Sequence, residues 1–378
     1  MARTALAGAL VSALVVSAAP AHAAVVRDTP ARTASVNGRV DAVAYRGSVL
    51  YLAGDFTSAT DKDGTVRSRT RLAAIDTSTG RLLPWAPRAD RAVRSLAVVG
   101  DAVYAGGDFS SVNGLRRVRL VKLNASSGAV ASNFVHSAGS SVLALAAGDG
   151  RLYAGGKFLN IDGQSRARLA AFSLSSGALA TGWKPRADSD VRGLRFAAGR
   201  LYVAGRFTSL NGSTARANLA ALRPDTGAVD TSFAARLGYP AKDVAVTGNA
   251  VYVAADGPGG HLRKYALGGA SRWDLFTDGG VQAVAVLDGV VYAGGHWTYV
   301  CPVTRTDGKC PEGMIQRRKL VAVTPEGNLL GWAPQANSPL GVTAMAPHPA
   351  TGKLAVGGAF TTFKWDAVRQ PHIALFAP

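Results

Sequence analysis

Glutamate is almost missing from this chain of 378 residues: Glu312 and Glu326 are the only two. The other acidic residues are aspartates, which favour turns over helices. Cysteine is nearly as scarce, with only Cys301 and Cys310. They form no CxxC and have no histidine cluster beside them, so neither a redox motif nor a zinc site of local spacing is present. Only 17% of residues are charged and long polar runs are lacking, which excludes a disordered chain. Helical periodicity of any length is missing. No segment beyond the N-terminus has about 18 uninterrupted apolar residues, so no membrane span is expected. Also absent are HExxH, GxSxG, the phosphate-cradling GxxxxGK[ST] and a glutamate pair for glycoside hydrolysis. No catalytic residue, metal ligand or cofactor is therefore expected.

Glycine and arginine are abundant instead. There are 44 glycines, and arginine supplies most of a net charge of +18. That charge reflects either arginine-rich codon usage or a surface selected for a polyanion. The N-terminus reads as an export signal spanning residues 1–23. Arg3 gives a positive start, Leu6 to Val16 an apolar stretch, and Ala21-His22-Ala23 a small-residue cleavage site. The expectation is a secreted, soluble, monomeric chain from Ala24, with residues 24–378 as one domain. In an oxidising compartment Cys301 and Cys310, nine positions apart, are expected to close a local disulfide.

One phrase is rewritten along the whole chain. Tyr104-Ala105-Gly106-Gly107-Asp108-Phe109 recurs around Tyr51, Tyr153, Tyr202 and Tyr292, and in worn form at Tyr252 and at Leu354 to Phe360. The six tyrosines lie 53, 49, 49, 50 and 40 residues apart. Such a period signals supersecondary units that bury their faces only against neighbours. Each unit parses into four short strands. In the second unit they are 93–99, 102–109, 119–124 and 129–134, with Asn113-Gly114 at a hairpin-type turn. An aromatic closes each fourth strand: Trp85, Phe134, Trp183, Phe233, Trp273 and Trp332.

The seventh unit stops after its third strand, while Val25 to Val40 precede the first unit as an orphan segment. The prediction is an all-β fold: a single seven-bladed β-propeller of four-stranded antiparallel blades, its ring closed by an N-terminal strand completing the last blade. Six or eight blades follow if the short fifth unit is miscounted.

The Tyr-Ala-Gly-Gly-Asp-Phe core, the Leu-Ala-Ala strand with its Thr-Gly turn, and Asp230-Thr231-Ser232-Phe233 resemble the delta-60 repeat family. This is a group of secreted bacterial β-propellers, also described as a domain of unknown function. The resemblance covers nearly all of the chain after the signal, weakest at Gly257 to Gly280, and it implies a fold without an activity. Asp76 to Gly80 with Trp85 is also similar to the tryptophan-docking segment of pyrroloquinoline-quinone dehydrogenases. The adjacent cysteines and the ligand set of those enzymes are missing, so the aromatic is expected to dock blade on blade.

Function is expected where the repeats differ. The connections between second and third strands, and between one unit and the next, emerge on one face and hold most of the arginines. From them come the candidate ligand-binding residues Arg69, Arg94, Arg117, Arg166, Arg192, Arg216, Lys242 and Arg317. The second residue of each first strand (Asp41, Arg94, Leu143, Arg192, Lys242, Gln282, Thr343) should ring the channel mouth on that face. Arg71, Arg119 and Arg168 either contribute to the same surface or pair with Asp55 and Asp108. His296 fills a position that is Asp55, Asp108, Lys157 or Arg206 elsewhere, which reads as a tolerant surface site. Asp61-Lys62-Asp63-Gly64 begins like a calcium loop but lacks the closing Glu, so an enlarged turn is expected. The leading expectation is a non-enzymatic module that binds an extracellular polyanion or protein, with no nucleic-acid role. The alternative is an extracellular lyase or hydrolase at the channel mouth.

Overall fold

The computed structural model describes residues 25–212, 216–305 and 310–378. The export-like residues 1–23 lie outside that range. Among the described residues no helix is long and apolar enough to cross a membrane, and the architecture is all-β and propeller-like.

Each repeat contributes an antiparallel sheet, and that of the fifth continues into Tyr299–Val300 and Ile315–Gln316 of the sixth. In the second repeat the order is Val93–Val99, Ala102–Gly107, Leu120–Asn124, from inner to outer strand. Residues apolar on both sides explain the continuous apolar runs, since these strands are packed between neighbouring sheets. Each inner strand is bulged after its first residue, as between Val93 and Ser95. The inner strands touch in sequence order, and the last (Val342–His348) touches the first (Val40–Arg46).

The glycine pair of the repeated phrase has two separate tasks. A Cβ on Gly106 would lie 2.5 Å from Val142 Cγ1 of the next sheet, and one on Gly107 would lie 2.3 Å from the Ala92 carbonyl of its own repeat. One glycine admits the neighbouring sheet and the other admits the bulged start of the inner strand.

The expected fourth strand is much reduced in most repeats. It survives as Arg81–Leu82 in the first sheet and as Ser271–Thr277 in the fifth. Elsewhere it shrinks to single bridges, Leu123 to Val130, Phe172 to Leu179, Leu222 to Val229 and Val323 to Leu329. The physical reason is a turn that follows at once: the Trp183 N–H bonds the Ala180 carbonyl, and the Phe233 N–H bonds the Asp230 carbonyl. The fifth repeat looked degenerate because its second and third strands, Ala250–Gly257 and Gly259–Ala266, are joined directly, without the excursion seen elsewhere.

That excursion is a small hairpin. Ser111–Val112 pairs with Leu115–Arg116 across Asn113 (φ 51°) and Gly114 (φ 78°), and the turn residues Asp162-Gly163 and Asn211-Gly212 have the same angles within a few degrees. The aromatic that ends each repeat docks on the next. Trp85 donates to the Asn124 carbonyl at 3.0 Å and Trp273 to the Pro325 carbonyl at 3.0 Å. Trp332 donates to the Arg27 carbonyl at 3.2 Å. The segment around Arg27 runs beside the C-terminal strand, with the Arg27 N–H on Ala377 and the Ala31 N–H on Leu375.

Candidate functional site

The structure brings the second residues of all seven inner strands together. Asp41, Arg94, Leu143, Arg192, Lys242, Gln282 and Thr343 line one cavity of about 390 Å³, joined by Asp108, Ser141 and Lys157. Three of the eight candidate residues, Arg94, Arg192 and Lys242, therefore converge at this mouth.

Arg94 is already committed. It pairs with Asp41 at 2.8 Å and Asp108 at 2.8 Å, while Asp41 also takes Arg39 at 2.5 Å. Burial works against the Arg94 cation, but the two carboxylates outweigh it and raise its pKa. Burial likewise pushes Asp108 up, yet hydrogen bonds from Ser141 and Arg94 and the nearby Arg94 and Lys157 charges hold it below the usual carboxylate range. Lys242 pairs with Asp256 at 2.9 Å, and Arg192 lies 3.6 Å from Asp190. His296 receives the Gly280 N–H at 3.2 Å and sits 3.1 Å from Gln282.

Two further cations are exposed, and the first of them, Lys157, lines the mouth. Lys157 and Arg206 occupy the variable position after the glycine pair, and among the described residues neither side chain makes a hydrogen bond or ion pair. Lys157 belongs to the third repeat, and Arg206 to the fourth, which also carries Arg192. Sequence reasoning passed over them as tolerated substitutions. The signal was present: in two neighbouring repeats a position that is acidic in the first two becomes basic.

The other candidates are dispersed, one per repeat, at the base of the small hairpins. Arg69 donates to the carbonyls of Ser68 and Leu83, Arg117 to Arg116 and Ala131, and Arg166 to Ser165 and Ala180. Arg317 donates to Gln316. Arg216 stands at the same point of its repeat. Arg69 and Arg166 are buried. The guanidinium groups of Arg69, Arg117 and Arg166 tie a hairpin to the outer edge of its sheet.

Two residues further on, the chain enters the third strand in the left-handed region at Arg71 (φ 70°), Arg119 (66°), Arg168 (69°), Asn218 (64°), Lys319 (66°) and His372 (64°). Arg71 meets Asp55 at 3.2 Å, whereas Arg119 donates to the Ala138 carbonyl at 2.6 Å.

Among the described residues, the acids of the calcium-like loop are taken up by an arginine. Asp61 and Asp63 both engage Arg81, at 3.2 and 2.7 Å, within a hairpin of Ser58–Thr60 and Val66–Ser68. Cys301 and Cys310 stand at disulfide distance, Cα to Cα 5.6 Å. Glu312 lies beside the two sulfurs, but with the sulfurs bonded to each other they are not available as thiolate ligands.

The fold and this rim define a β-propeller-like protein with a charged mouth. The family model of a β-propeller domain of unknown function (DUF5122) matches residues 103–134, 147–172 and 199–233. No curated protein matches the chain. Among solved structures, the WD40 β-propeller domain of Doa1 is similar at TM-score 0.55 and 12% identity, covering 92% of this chain and 96% of that one. The computationally designed Ika8 protein is similar at TM-score 0.54 and 13% identity, covering 91% and 98%. At such identities the likeness concerns the fold alone.

Proposed function

We propose that this chain is a secreted, non-enzymatic binding module that holds an extracellular anionic glycopolymer, or an acidic protein surface, at the charged mouth. The observation that carries the reading is the cationic side of the mouth, where Lys157 and Arg192 line the cavity and the exposed Lys157 side chain makes no hydrogen bond or ion pair among the described residues, with Arg206, also exposed, at the same position of the next repeat. The apposed cysteines suit an oxidising compartment. The architecture is read as one ring of seven blades, the last completed by residues 25–36. Support comes from the cyclic contacts of the inner strands and from Trp332 docking on Arg27 as Trp85 docks on Asn124. A lyase or hydrolase would need mouth carboxylates with divergent proton affinities. Asp41 and Asp108 instead share Arg94, which favours binding over proton transfer.

Surface plasmon resonance with immobilised polygalacturonate is the test. Affinity should fall steeply between about 20 and 200 mM salt, because a polyanion senses charges within a Debye length of roughly 10 Å. Lys157→Ala with Arg206→Ala should weaken binding roughly tenfold, the equivalent of about 1.4 kcal/mol. Affinity indifferent to salt or to this double substitution would reject the polyanion reading.

A further inference from the structure

The opposite end of the inner strands opens into a second cavity, of about 480 Å³, well within the size range of small-molecule sites. Many of its lining side chains are aliphatic or aromatic, Val43, Leu96, Leu145, Leu194 and Phe196 among them, interspersed with exposed backbone and Tyr45, and Arg195 is the single charged one. The fifth residue of the inner strand is alanine in the other six repeats, at Ala44, Ala97, Ala146, Ala245, Ala285 and Ala346. Arg195 alone breaks that row.

No structural partner explains the exception. Arg195 is exposed to the cavity and, among the described residues, makes no hydrogen bond or ion pair. Other cations on this face are held: Arg46 by Asp101, Arg200 by Asp230 at 2.8 Å, Arg151 by the Pro224 carbonyl at 3.0 Å and Lys353 by the Thr77 carbonyl at 2.7 Å. Asp243, on the next inner strand, is the acid that feels the Arg195 charge. Its carboxylate is already occupied by the N–H groups of Val244 at 2.8 Å and Val284 at 3.0 Å. Burial also pushes that carboxyl upward, towards the neutral form.

A guanidinium whose side chain makes no hydrogen bond or ion pair, set beside aliphatic side chains, is half of a recognition pair. Its planar fork matches a carboxylate through two parallel hydrogen bonds. The surrounding leucines and Phe196 would bury a hydrocarbon body at about 25 cal/mol per Å². We propose that this cavity binds a small apolar carboxylate, an aliphatic or aryl acid, with its carboxylate on Arg195 and its body against Leu96, Leu145, Leu194 and Phe196. The site is separate from the charged mouth and does not depend on what binds there.

Isothermal titration of the chain with decanoate, decanol and decylamine tests the assignment. Decanoate should bind at least roughly tenfold more tightly than decanol, and decylamine more weakly than either. Arg195→Ala restores the residue of the other six repeats, so the fold should persist, which circular dichroism would verify. It should reduce decanoate to the decanol level. Arg195→Lys, which keeps the charge but not the fork, should fall between and decides the matter if the alanine variant does not fold. Lys157→Ala should leave decanoate binding unchanged. Equal binding of decanoate and decanol, preference for decylamine, decanoate affinity unaltered in both Arg195 variants, or its loss in Lys157→Ala would each overturn the proposal.

Discussion

At the scale of single residues, the position before each third strand is the most informative. Six side chains share only a reaching donor there, and all six accept a left-handed backbone. Several of these side chains bond carbonyls, as Arg119 does to Ala138, Asn218 to Leu237 and Lys319 to His296. Arg119→Ala keeps the backbone strain and loses the bond, so urea unfolding should show a loss of about 1–2 kcal/mol. Arg119→Gly loses the same bond but relieves the strain, and should cost less. An equal or larger loss for glycine would show that strain plays no part. Asp90 offers a pH test. Its carboxylate accepts the N–H groups of Ser110 and Ser111 and the Ser110 hydroxyl. Burial pushes it up, but those hydrogen bonds outweigh burial and hold it at about 2, against 3.8 for a free aspartate. A depressed carboxyl contributes stability above the unfolded value and loses it as pH falls through the folded one. Asn37 plays the same part for Thr57 and Ser58 without titrating. Asp90→Asn should therefore flatten the loss of stability between about pH 4 and pH 2, read from denaturation curves across that window.

At the scale of elements, the repeated phrase was legible because every copy obeys the same steric demands. The glycine pair, the Asn-Gly turns and the docking aromatics each recur where a backbone needs room, a positive φ or a carbonyl to bond. The fourth strand was overread. Leu179 to Trp183 has strand-like composition, but its pairing is set by the turn that follows, a competition that composition does not reveal. The same held for Arg69, Arg117 and Arg166: residue type announced charge, while only the hairpin geometry showed the carbonyls they serve. Cys301 and Cys310 bracket a loop on the connection between Tyr299–Val300 and Ile315–Gln316. Replacing both with serine should lower stability by about 2–3 kcal/mol by the chain-entropy model. Calorimetry with and without reductant checks this, and reductant should shift the parent but not the double variant.

At the scale of the whole molecule, the first and last described segments meet. The Val26 N–H donates to the Tyr292 hydroxyl at 3.1 Å, and Lys364 pairs with Asp28. Gln370, buried, receives the Thr33 N–H at 3.3 Å and donates to the Thr33 hydroxyl at 3.0 Å. A chain begun at Val40 loses these contacts, leaves Trp332 without its acceptor and bares the edge of Ile373–Phe376. It should melt lower and self-associate, which light scattering during thermal unfolding would report. A truncated chain that stays monomeric with an unchanged melting temperature would refute that role. The channel mouth was legible from the phase of the inner strands, because the position after the first valine is fixed by the bulge. Lys157 and Arg206 were not, since variation alone does not separate a neutral position from a specialised one.

The hairpin arginines that bond carbonyls remain cations although part of their donor set is engaged. A guanidinium satisfied by a backbone oxygen still projects a field into solvent, so the face attracts an anion at long range while offering few groups to hold it. In the proposed reading, capture and retention fall to different residues. Association rates should follow the summed charge of the face and fall with ionic strength, whereas residence time should depend on the handful of cations at the rim.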